Sequence, residues 1–223
     1  MEGIELFEAM RTQRSVRDFD TSRPVSDDDV MRILEAASWA PNAGNRQLWE
    51  FFVIRDAETR KLVGDIYREA FDVLMKLIAP GAPKADPRTG PKTMTKWSRT
   101  LADTLATVPV IILVGYDRAN SPFTAEGSIK AYAEETVYTG AMPAVQNLML
   151  AARGLGLGTC LTTVANVLEG KLKDTLGIPR HIQIVALMPL GYPAREFFPV
   201  KRIPVDEKVH WDTWQGTRDG GQA

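Results

Sequence analysis

Four short stretches hold residues whose types and spacing could do chemistry. Arg14-Ser15-Val16-Arg17 sets two guanidinium groups and a hydroxyl within four residues. Arginine binds phosphate bidentately and keeps its charge at any working pH, so the group suits a phosphate. A solvated basic patch is the competing reading. Pro41-Asn42-Ala43-Gly44-Asn45-Arg46-Gln47 carries three amide side chains in a loop dense in turn residues. Amides donate and accept, as a polyol or a heteroaromatic ring edge requires, although an ordinary capped turn uses the same residues. Thr159 to Thr163 brings hydroxyls and N–H groups to a short apolar strand. Lys201-Arg202-x-Pro204 lies in a polar tail from which a cation could reach back to a phosphate. Conventional side-chain catalysis has little to start from. The one cysteine, Cys160, sits in the apolar strand and reads as an inert buried thiol. The two histidines, His181 and His210, offer no zinc spacing, and no serine elbow begins a Ser-His-Asp set. If the chain is an enzyme, it needs a cofactor.

The elements that must position these groups can be read from hydrophobic period and punctuation. Ile4, Phe7 and Met10 give a first helix its apolar face, ending near Thr12. Ser26 with Asp27, Asp28 and Asp29 caps a second helix to about Trp39. Trp49 to Ile54 alternates as a strand. A third helix runs from about Ala57 to Ile78 with Leu62, Ile66, Phe71, Leu74 and Leu77 inward. Residues 79–93, rich in proline, form an irregular excursion of the kind that is functional or disordered, and Met94 to Ala106 a short helix bearing Trp97. Pro109 to Gly115 is a buried strand, followed by a loop from Asp117 to Gly127. Thr136 to Ala152 carries no charge and is apolar on every face. That predicts a helix buried on all sides, either at the centre of a core or at a subunit interface, kinked or restarted at Pro143. Gly154, Gly156 and Gly158 end it. They resemble a dinucleotide fingerprint in spacing only, because they follow a helix and open a strand, so a C-cap and tight turn is expected. Asn166 to Leu176 is a helix closed by Gly177, and His181 to Leu190 a last apolar strand. Residues 194–214 read as an extended arm whose Trp211 and Trp214 must dock on something. The fold class is α+β, a central sheet wrapped by helices, in a single domain over residues 1–223.

Composition narrows the partners. A net charge of −1 and a pI near 6.2 give no general affinity for nucleic acid or membrane. The charged, amphipathic N-terminus lacks a signal-peptide core, and one cysteine suits a reducing compartment. The expectation is a cytoplasmic protein acting on a small molecule.

Taken together and in order, Arg14-Ser15-Val16-Arg17-x-Phe19, Ala40-Pro41-Asn42-Ala43-Gly44-Asn45-x-Gln47-x-Trp49-x-Phe51, Asn147 to Thr163 and Lys201-Arg202-x-Pro204 resemble the nitroreductase superfamily of FMN-dependent flavoproteins. The resemblance implies a homodimer with the central helix at its interface and two FMN sites built by both chains. It implies that Arg14, Ser15, Val16 and Arg17 hold the phosphate and pyrimidine side of the flavin, with Lys201 and Arg202 closing on the phosphate. Pro41, Asn42, Ala43, Asn45 and Gln47 would meet the ribityl chain or ring, Asn42 standing where relatives often have serine. Leu161, Thr162 and Thr163 would face the flavin N5 edge. No side chain need act as acid or base. The activity implied is hydride transfer from NAD(P)H through the flavin to a nitroaromatic or quinone, in ping-pong order, beneath a lid at residues 80–100. A reductive dehalogenase, a flavin-cleaving member or a flavin-binding protein without turnover are the alternatives. The lid set of Glu, Tyr and Lys used by the deiodinase branch does not align clearly, although Glu69, Lys92 and Lys96 are present.

Overall fold

In chain order the computed structural model, which describes residues 4–77, 94–122, 130–214 and 216, runs α1 (Leu6–Thr12), β1 (Phe19–Asp20), α2 (Asp27–Ser38), β2 (Trp49–Ile54), α3 (Ala57–Leu77), α4 (Met94–Thr104), β3 (Val110–Asp117), α5 (Lys130–Gly154), β4 (Gly158–Thr159), α6 (Glu169–Leu176) and β5 (Ile182–Pro193). The sheet order is β1-β5-β3-β2, with β4 also on β5, and every pairing among these strands is antiparallel. The α+β class with a helix-wrapped central sheet is what forms.

The two apolar strands β3 and β5 separate two cores. Ile111, Leu113, Ile184 and Leu187 join residues of α3, α4 and α6 on one side. Val110, Ile112, Val114, Ala186, Met188 and Leu190 join α2 and α5 on the other. Strand side chains alternate faces, yet Ile184 shares a face with Leu187 rather than with Ala186. The cause is a register shift at Val114/Gly115, where Val185 has no partner of its own. One extra residue flips the parity of everything before it.

Several helices depart from expectation. α5 starts at Lys130, before the uncharged run, and its first turns carry Glu134, which pairs with Arg118 at 2.7 Å. It continues through Pro143 without restarting, since buried Val137 and Ala141 on one side and Ala144, Val145 and Leu148 on the other hold the backbone across the missing hydrogen bond. Within the single chain it is not the all-round centre of a core: Tyr138 is 40% exposed and Gln146 is exposed. α1 buries Ala9 and Thr12 but leaves Phe7 73% exposed, with Leu6 and Met10 also outside. Leu62 and Leu77 face solvent on α3, whereas Ile66 and Phe71 are buried as expected. The stretch expected as a helix from Asn166 divides into a 3-10 turn, Val164–Leu168, and α6, which does end at Gly177. Residues 79–93 and 123–129, which hold most of the expected lid and the end of the second loop, lie outside the described residues. No described helix is long and apolar enough to cross a membrane.

Candidate cofactor site

The segment between α1 and β1 is hung on the sheet through β4. Ser15 bridges Thr159 in parallel, and the Val16 N–H donates to the Thr159 carbonyl at 2.8 Å. Val16 is buried against Gly158, where an added Cβ would lie 2.7 Å from a Val16 methyl. Glycine at 158 is thus what lets the arginine segment approach. Gly156, at φ +75°, makes the turn that delivers it, and the Leu157 N–H closes the end of α5 on the Ala152 carbonyl at 2.8 Å. The glycines serve the helix end and the turn.

Arg14 is the electrostatic anomaly. Its Nη1 is buried and has no hydrogen-bond partner. Burial and then the Arg17 charge push its pKa down, and no carboxylate opposes them. The Phe198 ring lies over the guanidinium with its centroid 3.5 Å from Cζ. A buried donor edge beside a second cation is a place for an anion.

A buried polar pair lies within the field of the Arg17 charge. The Tyr67 hydroxyl and Thr162 Oγ1 are 2.9 Å apart, and Tyr67 is 2% exposed. Burial raises the Tyr67 pKa to about 12, against a smaller opposing pull from the bond to Thr162. Burial also pushes the Cys160 thiol up, against the Arg17 charge and a Ser15 hydrogen bond. Burial favours the neutral form of both the phenol and the thiol, and Cys160 lies buried in the fold.

The structure places the other candidates unevenly. Thr162 is committed inward: its hydroxyl meets Tyr67 and accepts the Val164 N–H at 3.3 Å, while its peptide pairs with Leu187. The hydroxyl of Thr162, expected with Leu161 and Thr163 at the N5 edge, is thus already bonded within the fold. Leu161 is half-buried and Thr163 exposed at the same turn. The expected strand through 163 shrinks to β4 and one bridge, Thr162 to Leu187. Asn42 braces its own loop, its Oδ1 accepting the Gln47 N–H at 2.9 Å and its Nδ2 reaching the Ala40 carbonyl at 3.3 Å. Pro41, Ala43, Asn45 and Gln47 are exposed, and Asn45 and Gln47 hold left-handed φ of 50° and 52°. Strain of this kind is retained at functional loops. Lys201 and Arg202 are exposed, and Arg202 Nη1 donates to the Lys201 carbonyl at 2.9 Å.

Sequence reasoning missed Tyr67, Phe197, Phe198 and Arg153. The arm folds back along the arginine segment: the Ala194 N–H reaches the Asp18 carbonyl at 3.0 Å, and the Val200 N–H the Arg11 carbonyl at 3.2 Å. Phe197 stacks on Arg153, 4.1 Å from its Cζ, and Arg153 Nε donates to Thr12 Oγ1 at 2.9 Å. The adjacent aromatic pair after Arg195-Glu196 was the available signal. Further on, Trp214 stacks on His210 at 4.1 Å and remains 77% exposed. Among the described residues, no His, Cys, Asp and Glu cluster could hold a metal.

Several known proteins resemble this chain in sequence and fold. An Archaeoglobus fulgidus protein with the provisional name NADH dehydrogenase/NAD(P)H nitroreductase is 28% identical, over 94% of this chain and 99% of its own. Iodotyrosine deiodinase 1 of Rattus norvegicus is also 28% identical, over 87% of this chain and 64% of the rat protein. A provisionally named nitroreductase of Desulfovibrio desulfuricans, solved in complex with FMN, superposes with a TM-score of 0.65 at 25% identity, covering 96% and 99% of the two chains. An oxidised iodotyrosine deiodinase bound to FMN and 3-iodo-L-tyrosine superposes at 0.70, covering 94% and 100%, with 19% identity that speaks for the fold alone. The Nitroreductase family model matches residues 10–192, from just before the paired arginines, through the glycine turn, to the end of β5, and the chain belongs to that family.

Proposed function

We propose that this chain is an FMN-dependent oxidoreductase that takes hydride from NAD(P)H and delivers it to an electron-poor small molecule such as a nitroaromatic or a quinone. The observation that carries the reading is the dry, unpartnered Nη1 of Arg14 beside Arg17. A phosphate monoester supplies the acceptor oxygens that edge lacks, and FMN, bound by the Desulfovibrio relative, carries one. Arg14, Ser15 and Arg17 hold the phosphate and the electron-rich pyrimidine side. Arg17 adds positive charge where the reduced ring gathers negative charge. Leu161 and Thr163 present the turn to the ring edge, with Thr163 rather than the inward Thr162 as donor. The exposed Asn45 and Gln47 serve a flavin through their amides, with Pro41 and Ala43 shaping the loop. Lys201 and Arg202, exposed on the arm, add charge that can close on the phosphate. When bound, the flavin supplies the hydride acceptor and donor. Tyr67 and Cys160, sealed and neutral, take no part in proton transfer.

The working unit in this reading is a homodimer in the cytoplasm. The exposed flank of α5, the outward α1 and the solvent-facing Trp214 support it as surface a second copy covers. Reductive dehalogenation is the second reading, favoured by the deiodinase relatives. Glu69 is ion-paired with Lys171 and Lys96 is exposed, while Lys92 lies outside the described residues. Purified protein should show an oxidised-flavin spectrum that bleaches with NADH or NADPH and returns with a quinone. Return with iodotyrosine and not with a quinone selects the second reading. Protein that takes up no FMN and oxidises neither nicotinamide sinks both.

A further inference from the structure

We propose that Phe198 is a positioning residue that holds the Arg14 guanidinium in the plane that receives the phosphate. The inference rests on the cofactor reading above. A guanidinium has two faces and a rim of in-plane donors. A carboxylate would fix it by occupying the rim. An aromatic ring fixes it through a face and leaves every donor free. Phe198 does this, its centroid 3.5 Å from Cζ, while Nη1 stays buried and unbonded. The ring is 53% exposed, so burial alone does not account for its place. It is set there from both sides: Phe197 on Arg153 precedes it and the Val200 bond to Arg11 follows it. The arm therefore brings an aromatic plane, not a charge, to the arginine.

Riboflavin has the same ring system without the phosphate, so the pair of ligands separates the two ends of the site. FMN and riboflavin are titrated into apo-protein of the wild type, Phe198→Ala, Phe198→Leu, Phe198→Tyr, Arg14→Ala and the double variant F198A/R14A. FMN affinity is expected to fall about threefold in Phe198→Ala and Phe198→Leu, to return in Phe198→Tyr, and to fall no further when F198A is added to R14A. Riboflavin affinity is expected to stay unchanged. Equal loss for FMN and riboflavin, full affinity in Phe198→Leu, or an additive double variant overturns the proposal. Wild-type protein that binds FMN alongside an unaffected Phe198→Ala overturns this inference alone. Wild-type protein that binds no FMN removes the cofactor reading and this inference with it.

Discussion

Leaving an arginine nitrogen dry and unbonded destabilises a fold, and Arg14 bears that cost where a ligand would relieve it. Losing one charge-assisted bond costs roughly 1.5–3 kcal/mol, so Arg14→Ala should lower FMN affinity about tenfold to a hundredfold. Arg14→Lys should recover only part of that, because a point charge replaces the fork. Arg202→Ala should matter less, since Arg202 is exposed and bonded to its neighbour's carbonyl. Fluorescence titration of FMN into apo-protein measures all three, and unchanged affinity in Arg14→Ala would remove the basis of the site. The arginines were legible in the sequence because their residue type and spacing state their chemistry. Tyr67 was not, because on an apolar helix it reads as one more core aromatic, and its partner Thr162 stands 95 positions on. Arg60 also carries nothing in its spacing to mark it, yet it holds the Val108 carbonyl at 2.7 Å and the Ala106 carbonyl at 3.3 Å, sewing α3 to the entry of β3.

At the scale of elements, the start of α3 carries a pH dependence. Asp56 accepts the Thr59 N–H and hydroxyl, both at 2.8 Å, and these hold its carboxyl below the usual aspartate range, the backbone bond most. A depressed folded value means the cap's contribution is complete above the unfolded aspartate pKa of about 4 and is lost as pH falls through the folded value. Asp56→Asn caps without titrating, so urea midpoints followed downward from neutral pH should fall less in the variant. Parallel profiles would show that the cap is silent. Ser26, legible as a cap, does accept the Asp29 N–H at 3.0 Å. The strands were legible as apolar runs, but the parity flip at Val185 was not: Ile182 to Leu190 is apolar on both faces but for Gln183, and alternation carries no information there. The outward turn of α1 was hidden for a related reason, since an apolar stripe states that it will be covered and not by what.

For the whole molecule, the uncovered surface is the strongest quantitative lead. Leu6, Phe7 and Met10 on α1, Trp39 after α2, Tyr138 on α5 and Trp211 and Trp214 on the arm are all exposed. Light scattering at micromolar concentration should give about twice the 24.7 kDa chain mass, and Phe7→Glu should shift the equilibrium toward monomer. A monomer that retains FMN would overturn the dimer. The class and the order of elements were legible along the chain; which strands lie side by side was not, because pairing is decided by the cores on the two faces. One further feature reaches the molecule as a whole. Its single thiol, Cys160, is 1% exposed, pressed under β4 and the segment that carries Arg14. A thiol reagent can meet that sulfur only when this corner lifts away, so the labelling rate is a stopwatch on the breathing of the corner, and whatever braces Arg14 and Ser15 from outside should slow the clock.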